Sequence, residues 1–459
     1  MPIRRRLVAY DVYLPHYFLP HSAVSAATTG LPGGSGTRSV AGYDEDGITM
    51  AVAATRGLPK TRVNANHLYF ATTSQPFWDK SNASVVQAAS DLRNDVLCVD
   101  MSSLRGGMAA LRLGAETGGV VALGDVRNGR PGSPAEIESG DGAAAFLFGD
   151  DDTAVAEVIA FSSHPTELMD VWRPPGISYP SSWEERFNTS VLQEMVSESI
   201  ADATKAAELK GPPTTILVSS PNTRFALNAS SGSAASLDAH KSHRQRAGYC
   251  GTADAGLLLA AALDLAKAGD TILTISAVGG TDAILVRALR DGPGSRNEHR
   301  KSEVTYFNYL TWRGLLEREP ARRPDRAPIS APAAFRNQDW KFGLHASRCT
   351  SCSSVYLPPQ RVCGVCNEQD KMEPYPVVGR RARIAAMTTD AVVDSPAPPA
   401  VIATLDIDGG GRVTVELTDA ANKVATVGAE VELTFRRTYV TRGIPNYFWK
   451  ARLVQGESS

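Results

Sequence analysis

Long apolar runs are missing from this sequence: no window approaches the roughly 18 apolar residues that a helix needs to cross a bilayer. The basic N-terminus is followed by only a short apolar stretch before Asp11, which is not the pattern of a signal peptide. An excess of one charge is missing as well, because 47 Lys and Arg residues stand against 49 Asp and Glu residues. These absences predict a soluble, cytoplasmic protein with neither a membrane partner nor a nucleic-acid partner.

Cysteine is also scarce, with six in 459 residues, and Cys98 and Cys250 stand apart from the other four. Such usage suits a reducing compartment and a metal site better than a disulfide framework. The other four form two pairs, Cys349-x2-Cys352 and Cys363-x2-Cys366. Two such pairs can direct four thiolates at one zinc ion, and four sulfurs leave no open coordination position. The sequence therefore predicts a structural zinc site rather than a redox pair.

The length of the chain predicts roughly two to three domains. Two consecutive regions alternate strand-like and helical patterns, which suggests a duplicated α/β unit. A stretch rich in proline and charge then predicts a linker, the cysteine pairs predict a zinc ribbon, and about five strand-like runs predict a small OB-type β-barrel. The predicted boundaries are 1–165 and 166–318 for the two halves, 319–335 for the linker, 336–380 for the zinc ribbon and 381–459 for the barrel.

Residues 95–114 contain the motif that points most directly to a catalytic site. Val96–Val99 has a strand pattern and Met108–Leu113 begins a helical one, so the residues between them must form a tight strand-to-helix elbow. α/β enzymes use such elbows to hold a nucleophile, because the free N–H groups of the helix stabilise a thiolate or an oxyanion. Ser102 and Ser103 lie there, and each is as well suited to cap the helix as to react.

Four further stretches accompany this elbow: Gly42-Tyr-Asp-Glu-Asp-Gly-Ile-Thr-Met-Ala-Val, Trp78-Asp-Lys-Ser-Asn, Gly140-Asp-Gly-Ala-Ala-Ala-Phe-Leu-Phe-Gly and Gly248-Tyr-Cys-Gly-Thr-Ala-Asp. In this order and spacing, over roughly residues 5–318, the sequence resembles the 3-hydroxy-3-methylglutaryl-CoA synthase and type-III ketoacyl synthase branch of the thiolase superfamily. The resemblance implies two half-domains packed in five layers, αβαβα. It also implies a homodimer and an acyl substrate carried as a thioester of CoA or of the phosphopantetheine arm of an acyl-carrier protein.

The C-terminal part carries a separate resemblance. Its zinc-ribbon pattern, Pro358-Pro359 and the predicted barrel are similar to the acyl-CoA-associated zinc-ribbon/OB family found beside thiolase-like enzymes. An OB barrel alone could also bind single-stranded nucleic acid, but this one lacks an obvious basic strand face interleaved with aromatic residues. The combination of the two parts favours thioester chemistry.

The resemblance also assigns the catalytic positions. The family uses a Cys nucleophile, a His, and an Asn or Glu, which bind the thioester oxygen and move protons. Here Leu104 stands where the Cys is expected, Ser219 where the His is expected, and Tyr249 in place of the Asn. The general-base Glu falls near Gln75. Because Leu104 cannot be acylated, the sequence excludes an acyl-enzyme at the elbow.

Two sets of site residues follow. The predicted catalytic residues are Tyr249, Cys250, Ser103, Ser219 and Asn222. The predicted substrate-binding residues are Leu104, Gln75, Arg224 and Gly280. Asn222 and Arg224 match the family directly, whereas glycine at 280 is expected to bring the backbone close to the site.

Tyr249 is the residue best suited to replace the missing chemistry. Its phenol can act as a general acid or base, or as an oxyanion donor, if its pKa shifts from about 10. Cys250 is either a relocated nucleophile or a small buried apolar residue. His240 and His243 lie in a polar run that we expect to be a solvated face.

Three functions follow from these residues. The first is an acyltransferase that joins a CoA or carrier-protein thioester to a second substrate directly, with the pocket supplying orientation and oxyanion stabilisation. The second is a lyase that cleaves a β-hydroxyacyl thioester by retro-aldol chemistry, with a tyrosine carrying the proton. The third is a non-catalytic scaffold subunit, since the loss of the triad also describes a pseudoenzyme. The acyl chain, the acceptor and the direction of the reaction are left open.

Overall fold

The computed structural model describes residues 6–28, 34–59, 65–294, 302–319, 326–393, 395–419 and 425–454. By its internal contacts the chain divides into two compact units. The first unit comprises residues 1–42, 46–87 and 92–317, and the second comprises residues 43–45, 88–91 and 318–459. None of the helices in the described ranges is long and apolar enough to cross a membrane.

The first unit alternates strands with helices, as the sequence predicts. Its strands are β1 (Arg6–Tyr13), β2 (Tyr17–Pro20), β3 (Thr37–Val40), β4 (His67–Ala71), β5 (Leu97–Met101), β6 (Gly119–Asp125), β7 (Gly142–Gly149), β8 (Ala156–Pro165), β9 (Val171–Trp172), β10 (Ser181–Ser182), β11 (Thr215–Ser219), β12 (Thr271–Ala277), β13 (Gly280–Ala288) and β14 (Ser302–Glu303). Its helices are α1 (His21–Ala27), α2 (Gly47–Gly57), α3 (Ala83–Ala89), α4 (Gly106–Thr117), α5 (Pro134–Glu138), α6 (Glu185–Ala206), α7 (Thr223–Ala229), α8 (Ala234–Arg246), α9 (Asp254–Leu265) and α10 (Tyr306–Trp312).

A mixed sheet of nine strands organises this unit, in the order β11-β12-β13-β8-β1-β7-β6-β4-β5. The strands from the two predicted halves join where β13 pairs with β8, through Ile284 opposite Phe161 and Arg287 opposite Glu157. Pairing is parallel between β11 and β12 and on both sides of β4, and antiparallel elsewhere in the sheet. The two halves therefore share one continuous sheet.

Two helices of small and apolar residues are buried on nearly every side. Helix α2 starts with a capping box, in which the Asp46 carboxylate accepts the N–H of Thr49 and the Thr49 hydroxyl bonds the N–H of Asp46. It approaches β6 so closely that a Cβ on Gly124 would lie 2.3 Å from the carbonyl oxygen of Gly47. Helix α9 is equally buried, from Asp254 to Asp264 with few exceptions. Glycine and alanine make this close layering possible.

The second unit contains two short helices and two β structures. Its elements are α11 (Ala331–Arg336), α12 (Gln338–Lys341), β15 (His345–Cys349), β16 (Val355–Tyr356), β17 (Met372–Pro376), β18 (Ala382–Asp390), β19 (Ala400–Ile407), β20 (Arg412–Leu417), β21 (Glu430–Thr441) and β22 (Ile444–Leu453). Strands β16, β15 and β17 form a small sheet, and β18-β19-β20-β22-β21 form a closed barrel. The five strand-like runs of the sequence thus correspond to five barrel strands.

Aromatic rings fill part of this unit. The ring of Phe435 lies 5.4 Å from that of Trp449 and 5.6 Å from that of Tyr447, centroid to centroid. The Trp449 indole N–H donates to the carbonyl oxygen of Phe342 at 3.0 Å, so the buried polar end of this side chain is satisfied.

The predicted linker, residues 319–335, is corrected at its C-terminal end. Residues 320–325 lie outside the described part of the chain, but helix α11 begins at Ala331. Pro332 stands in its first turn, where the missing N–H would have no helical partner in any case. Proline content was therefore a misleading guide here, because proline at a helix start favours the helix.

Candidate functional site

The predicted elbow is confirmed between β5 and α4. Glycine is required at 107, because a Cβ there would lie 2.1 Å from the carbonyl oxygen of Thr252. The helix begins after Arg105 without a side-chain cap, so neither Ser102 nor Ser103 caps it. This corrects one of the two roles expected for these serines. The carbonyl oxygen of Ser103 accepts the N–H of Gly106 at 2.9 Å, which tightens the turn.

A cavity of about 590 Å³, here called the elbow cavity, opens beside this turn. Three predicted site residues line it: Gln75, Ser103 and Leu104. Leu104 contributes only a branched alkyl group, so the elbow presents no thiol to this cavity. The Gln75 side-chain oxygen is buried and has no hydrogen-bond partner among the described residues.

A second cavity, of about 350 Å³, lies next to the first and is lined by Tyr249, Asn222 and Arg224. The two cavities share four lining residues: Arg127, Asp170, Val171 and Pro180. The predicted site residues that line a cavity are thus divided between two neighbouring cavities. Asn222 also has a structural role, because its side-chain oxygen caps α7 by accepting the N–H of Phe225 at 2.9 Å.

Tyr249 is held rigidly and is only 2% exposed. Its N–H donates to the carbonyl oxygen of Glu138 at 2.7 Å, and its own carbonyl oxygen accepts the N–H of Gly140 at 2.9 Å. Burial raises the pKa of the phenol well above its usual value. The phenol is therefore neutral at ordinary pH and suited to donate a hydrogen bond rather than to act as a base.

Cys250 lies in the hydrophobic core of the first unit with no exposed surface. Its sulfur lies 3.6 Å from the carbonyl oxygen of Gly248, and burial raises the pKa of the thiol well above its usual value. The side chain lines neither the elbow cavity nor the second cavity. Because the thiolate is the reactive form, this environment favours the apolar role over the nucleophilic one.

Ser219 also lies away from both cavities, in a buried cluster around Asp254. We call this set the Asp254 cluster: the Asp254 carboxylate accepts from Ser219 Oγ at 2.6 Å and from Arg244 Nη2 at 2.7 Å, and it lies 3.2 Å from His243 Nε2. Burial alone would raise the pKa of Asp254, but Arg244 and these hydrogen bonds hold it well below its usual value. The cluster is therefore an internally neutralised group.

The expectation of a solvated face at His240 and His243 is wrong. Both lie in α8 and are 1% and 8% exposed, because this side of the helix points towards Asp254. Burial, followed by the charge of Arg244, lowers the pKa of His240 to about 3. The spacing of His240, His243 and Arg244 was a usable sign, since residues three and four apart share one helix face.

Gly280 adopts a φ of +108°, and a Cβ there would lie 2.3 Å from the carbonyl oxygen of His164. It is the preceding Val278 and Gly279 that line the elbow cavity. The Gly279 N–H donates to Asp170 at 2.8 Å. Gly280 therefore permits the close turn that places its neighbours at the cavity.

The sequence did not identify Arg127 and Arg173, which also line the elbow cavity. Arg127 follows β6, and its backbone is fixed by a buried ion network. Its N–H donates to Asp141 at 2.8 Å, and its carbonyl oxygen accepts from Arg38 at 2.6 Å. The local sequence around an arginine does not show whether its side chain is buried or exposed. Only the three-dimensional structure does.

In the second unit, the four predicted zinc ligands lie together, with their sulfur atoms all within 4.8 Å of one another. The sulfurs of Cys349 and Cys366 are 3.6 Å apart, and those of Cys352 and Cys363 are 3.4 Å apart. A tetrahedron with zinc–sulfur bonds of about 2.3 Å has edges of about 3.8 Å. The donor set and its dimensions therefore fit a four-coordinate zinc ion.

No family model matches the chain. The hydroxymethylglutaryl-CoA synthase of Pyrobaculum neutrophilum is 30% identical over 307 residues, an alignment that covers 61% of this chain and 87% of that relative. Among solved structures, an HMG-CoA synthase complexed with CoA has a TM-score of 0.62 at 17% identity and covers 72% of this chain and 95% of its own. The curacin-pathway HMG synthase in complex with acetyl donor-ACP has a TM-score of 0.54 at 15% identity, covering 67% and 88%. The predicted thiolase-like α/β fold is thus confirmed, and the chain belongs to the hydroxymethylglutaryl-CoA synthase family.

Proposed function

We propose that this protein is a thiolase-like acyltransferase that acts on acyl groups carried as CoA or acyl-carrier-protein thioesters, without forming an acyl-enzyme at the elbow. The observation that carries the proposal is the elbow cavity, which has the family's strand-to-helix turn but presents Leu104 where a thiol is expected. Both carriers are proposed because one structurally similar protein is an HMG-CoA synthase complexed with CoA and another is an HMG synthase in complex with acetyl donor-ACP.

The reaction without a cysteine is a direct condensation. The Cα–H bond of one thioester breaks and its proton passes to solvent. The resulting enolate forms a bond to the carbonyl carbon of the second thioester, the carbon–sulfur bond of that second thioester breaks, and its carrier leaves as a thiol after taking up a proton. Tyr249, on the wall of the neighbouring second cavity, would supply a neutral phenol that donates a hydrogen bond to the developing oxyanion where the two cavities meet. The first free N–H groups of α4 contribute the positive end of a helix next to Leu104.

A retro-aldol lyase is the second candidate, favoured by the combination of a neutral Tyr249 and the missing elbow thiol. Cleavage of a β-hydroxyacyl thioester needs no covalent intermediate. The hydroxyl proton leaves, the Cα–Cβ bond breaks to give a carbonyl compound, and the enolate of the shorter thioester takes up a proton. The hydroxyl proton would pass to solvent, and the neutral phenol of Tyr249 would stabilise the β-oxygen by donating a hydrogen bond to it.

The test is to incubate the full-length protein with a panel of acyl-CoAs and acyl-carrier proteins, alone and in pairs, and to follow products by mass. Release of free carrier only when an acceptor is present supports the transferase. A shorter thioester plus a carbonyl compound supports the lyase. Stable binding of thioesters with no turnover of any of them would reject both enzymes and favour the scaffold.

The four cysteines of the second unit would hold a structural zinc ion, which fixes the chain around the small sheet when it is bound. Each side chain contributes one thiolate, and four sulfurs leave no position for substrate. Metal analysis of the purified protein should give one zinc per chain. A folded preparation that contains none would contradict this part of the proposal.

The family resemblance also supports a homodimer. Strand β5 is the last strand of the nine-stranded sheet, so its outer edge is not paired within the sheet. A second copy of the chain would cover such an edge. The molar mass measured by light scattering at micromolar concentration should be twice that of one chain, and a monomeric mass would refute the dimer.

A further inference from the structure

Two arginine side chains meet at Thr73, on the wall of the elbow cavity. Arg127 Nη1 donates to Thr73 Oγ1 at 2.9 Å, and Arg173 Nη2 donates to the carbonyl oxygen of the same residue. Arg127 is only 5% exposed, and its Nε has no hydrogen-bond partner among the described residues. Each guanidinium carries five N–H donors, so most donors of the pair are available to another acceptor.

The nearest buried carboxylate, Asp125, does not bind these guanidinium groups directly. Its oxygens accept from the N–H of Thr73 at 3.1 Å, from Thr73 Oγ1 at 2.7 Å and from the N–H of Thr252 at 3.1 Å. Backbone and hydroxyl donors therefore occupy its lone pairs.

Asp170, a buried carboxylate that does line the elbow cavity, is occupied in a similar way. It accepts the N–H of Val171 at 2.7 Å and that of Gly279 at 2.8 Å. Within the described part of the chain, neither Arg127 nor Arg173 forms an ion pair with a carboxylate. The wall therefore holds two cations for which the protein provides no direct counter-ion.

The energetics of this pair favour an external anion. Burial, and then the charge of Arg127, lower the pKa of Arg173, while Asp125 opposes the shift. A buried cation without a partner is costly, and an anion held between two guanidinium groups removes that cost through charge-assisted, often bidentate, hydrogen bonds. Planar guanidinium groups match the geometry of a carboxylate.

We infer that Arg127 and Arg173 form a subsite for an ionised carboxylate on the acyl chain, so that the substrates are thioesters of dicarboxylic acids. This rests on the proposed function, under which the acyl group lies in the elbow cavity. Leu104 and Gln75 line the same cavity as the two arginines. Neither residue of the pair is among the matched family positions from which the site was predicted.

The test compares two CoA thioesters of equal chain length, glutaryl-CoA and pentanoyl-CoA, which differ by one terminal carboxylate. Isothermal titration calorimetry with the full-length protein should show about 10- to 100-fold tighter binding of glutaryl-CoA, the range for hydrogen bonds to charged groups. Binding is measured without turnover, so the result does not depend on which reaction the protein catalyses. Equal affinity for the two thioesters would overturn the inference.

Arg173→Met should abolish this preference by weakening glutaryl-CoA alone, since methionine keeps the aliphatic stem but not the charge. Arg127→Lys keeps a positive charge near Asp125, so the fold should be retained. It should reduce the preference for glutaryl-CoA about 10-fold, because lysine lacks the planar guanidinium group that binds a carboxylate through two hydrogen bonds. Arg290→Met is the matched control, because Arg290 is exposed and lines neither cavity. An unchanged preference in Arg173→Met would contradict the proposal.

A phosphate of the carrier is the other anion that this chemistry could bind. Glutaryl- and pentanoyl-pantetheine, which carry no phosphate, separate the two sources. The carboxylate preference should persist with these thioesters. If Arg173→Met instead weakens both CoA thioesters equally and has no effect on either pantetheine thioester, the anion is the phosphate and the inference is wrong.

The inference and the proposed function can fail separately. Turnover of uncharged acyl-CoAs by a protein without carboxylate preference would overturn the inference alone. A carboxylate preference in binding, with no turnover in the full panel, would overturn the proposed function and leave the subsite. If neither thioester binds the wild-type protein, both are rejected.

Discussion

The elbow cavity and the Asp254 cluster use the same residue types in opposite ways. In the cluster, Arg244 is 4% exposed and contacts Asp254 at 2.7 Å, and Ser219 and His243 complete the carboxylate's hydrogen bonds. In the elbow cavity, Arg127 is 5% exposed and the Gln75 side-chain oxygen is buried, yet neither Arg127 Nε nor Gln75 Oε1 has a partner among the described residues.

This difference helps to distinguish residues that stabilise the fold from residues that can bind a ligand. Arg244 has a carboxylate bonded to it, although its Nη1 lacks a partner among the described residues, whereas the Arg127 guanidinium is bonded to the Thr73 hydroxyl. A buried cation with its own counter-ion offers little to an anionic ligand, whereas one without a counter-ion has a cost that such a ligand can remove. By this criterion, Ser219, a predicted catalytic residue, and His243 are bonded within the Asp254 cluster and line neither cavity. Under the proposed function, the groups that bind a ligand are those on a cavity wall that lack a hydrogen-bond partner among the described residues, such as Arg127 Nε and Gln75 Oε1.

The largest expected effect comes from removing the negative charge of the Asp254 cluster, which tests whether the cluster stabilises the fold. Asp254→Asn removes the charge that balances Arg244, so the free energy of unfolding should fall by about 3–5 kcal/mol, as for other broken buried pairs. Urea denaturation at pH 7 measures it. Asp291→Asn, which removes an exposed partner of Lys267, is the control and should have no measurable effect. A similar small effect of Asp254→Asn would mean that the cluster is not structural.

The second prediction concerns Tyr249, the ionisable predicted residue that lines a cavity. Tyr249→Phe keeps the ring and removes the donor, so turnover should fall by about 10²–10⁴-fold, the usual contribution of a general acid. Steady-state kinetics with the best substrate of the panel measures this. Cys250→Ala should change turnover little. A fully active Tyr249→Phe protein together with an acyl adduct on the Cys250 peptide would restore a nucleophilic cysteine.

The third prediction restores the cysteine that the family resemblance leads us to expect at the elbow. Leu104→Cys places a thiol at the elbow, where the free N–H groups of α4 lower the pKa of a thiol. Incubation with acyl-CoA should then yield a covalent adduct on the peptide containing residue 104, seen by mass spectrometry and absent from the wild-type protein. Ser103→Cys is the control at the neighbouring position. If the wild-type protein itself carries an adduct, direct transfer is wrong.

The smallest effect is a pH dependence of stability. His240 has a pKa of about 3 in the folded protein, below its ordinary value of 6.5. Between these values the unfolded chain binds a proton that the folded protein does not, so stability falls as the pH decreases from about 6.5, by up to about 1.4 kcal/mol per pH unit. Urea midpoints at pH 7.5 and 5.5 should differ less for His240→Gln than for the wild-type protein.

An equal loss of stability in His240→Gln and in the wild-type protein would assign the acid sensitivity to other groups. Asp254 acts in the same direction but over a lower range. Its pKa is depressed in the folded protein, so its contribution is present above the ordinary pKa of an aspartate and is lost as the pH falls through the folded value. Measurements between pH 7.5 and 5.5 therefore report mainly on the histidine.

Sequence alone determined the elements with strong local causes. The elbow was predictable because an apolar run, two glycines and a helical pattern follow one another, and the barrel strands because each alternates between turn residues. The cysteine spacing specified a four-sulfur site. The absence of a thiol at Leu104 was visible only through the family resemblance, since a leucine by itself suggests nothing catalytic.

Tertiary structure decided which polar residues are paired. The sequence predicted a solvated face at His240 and His243 because polar and charged residues occur along α8. Only the packing of α8 against Asp254 shows that one face of the helix is buried. Arg127 and Arg173 are separated by many residues and meet only at Thr73. The physical reason is that hydrogen-bond satisfaction depends on neighbours in space, which local propensity and spacing do not specify.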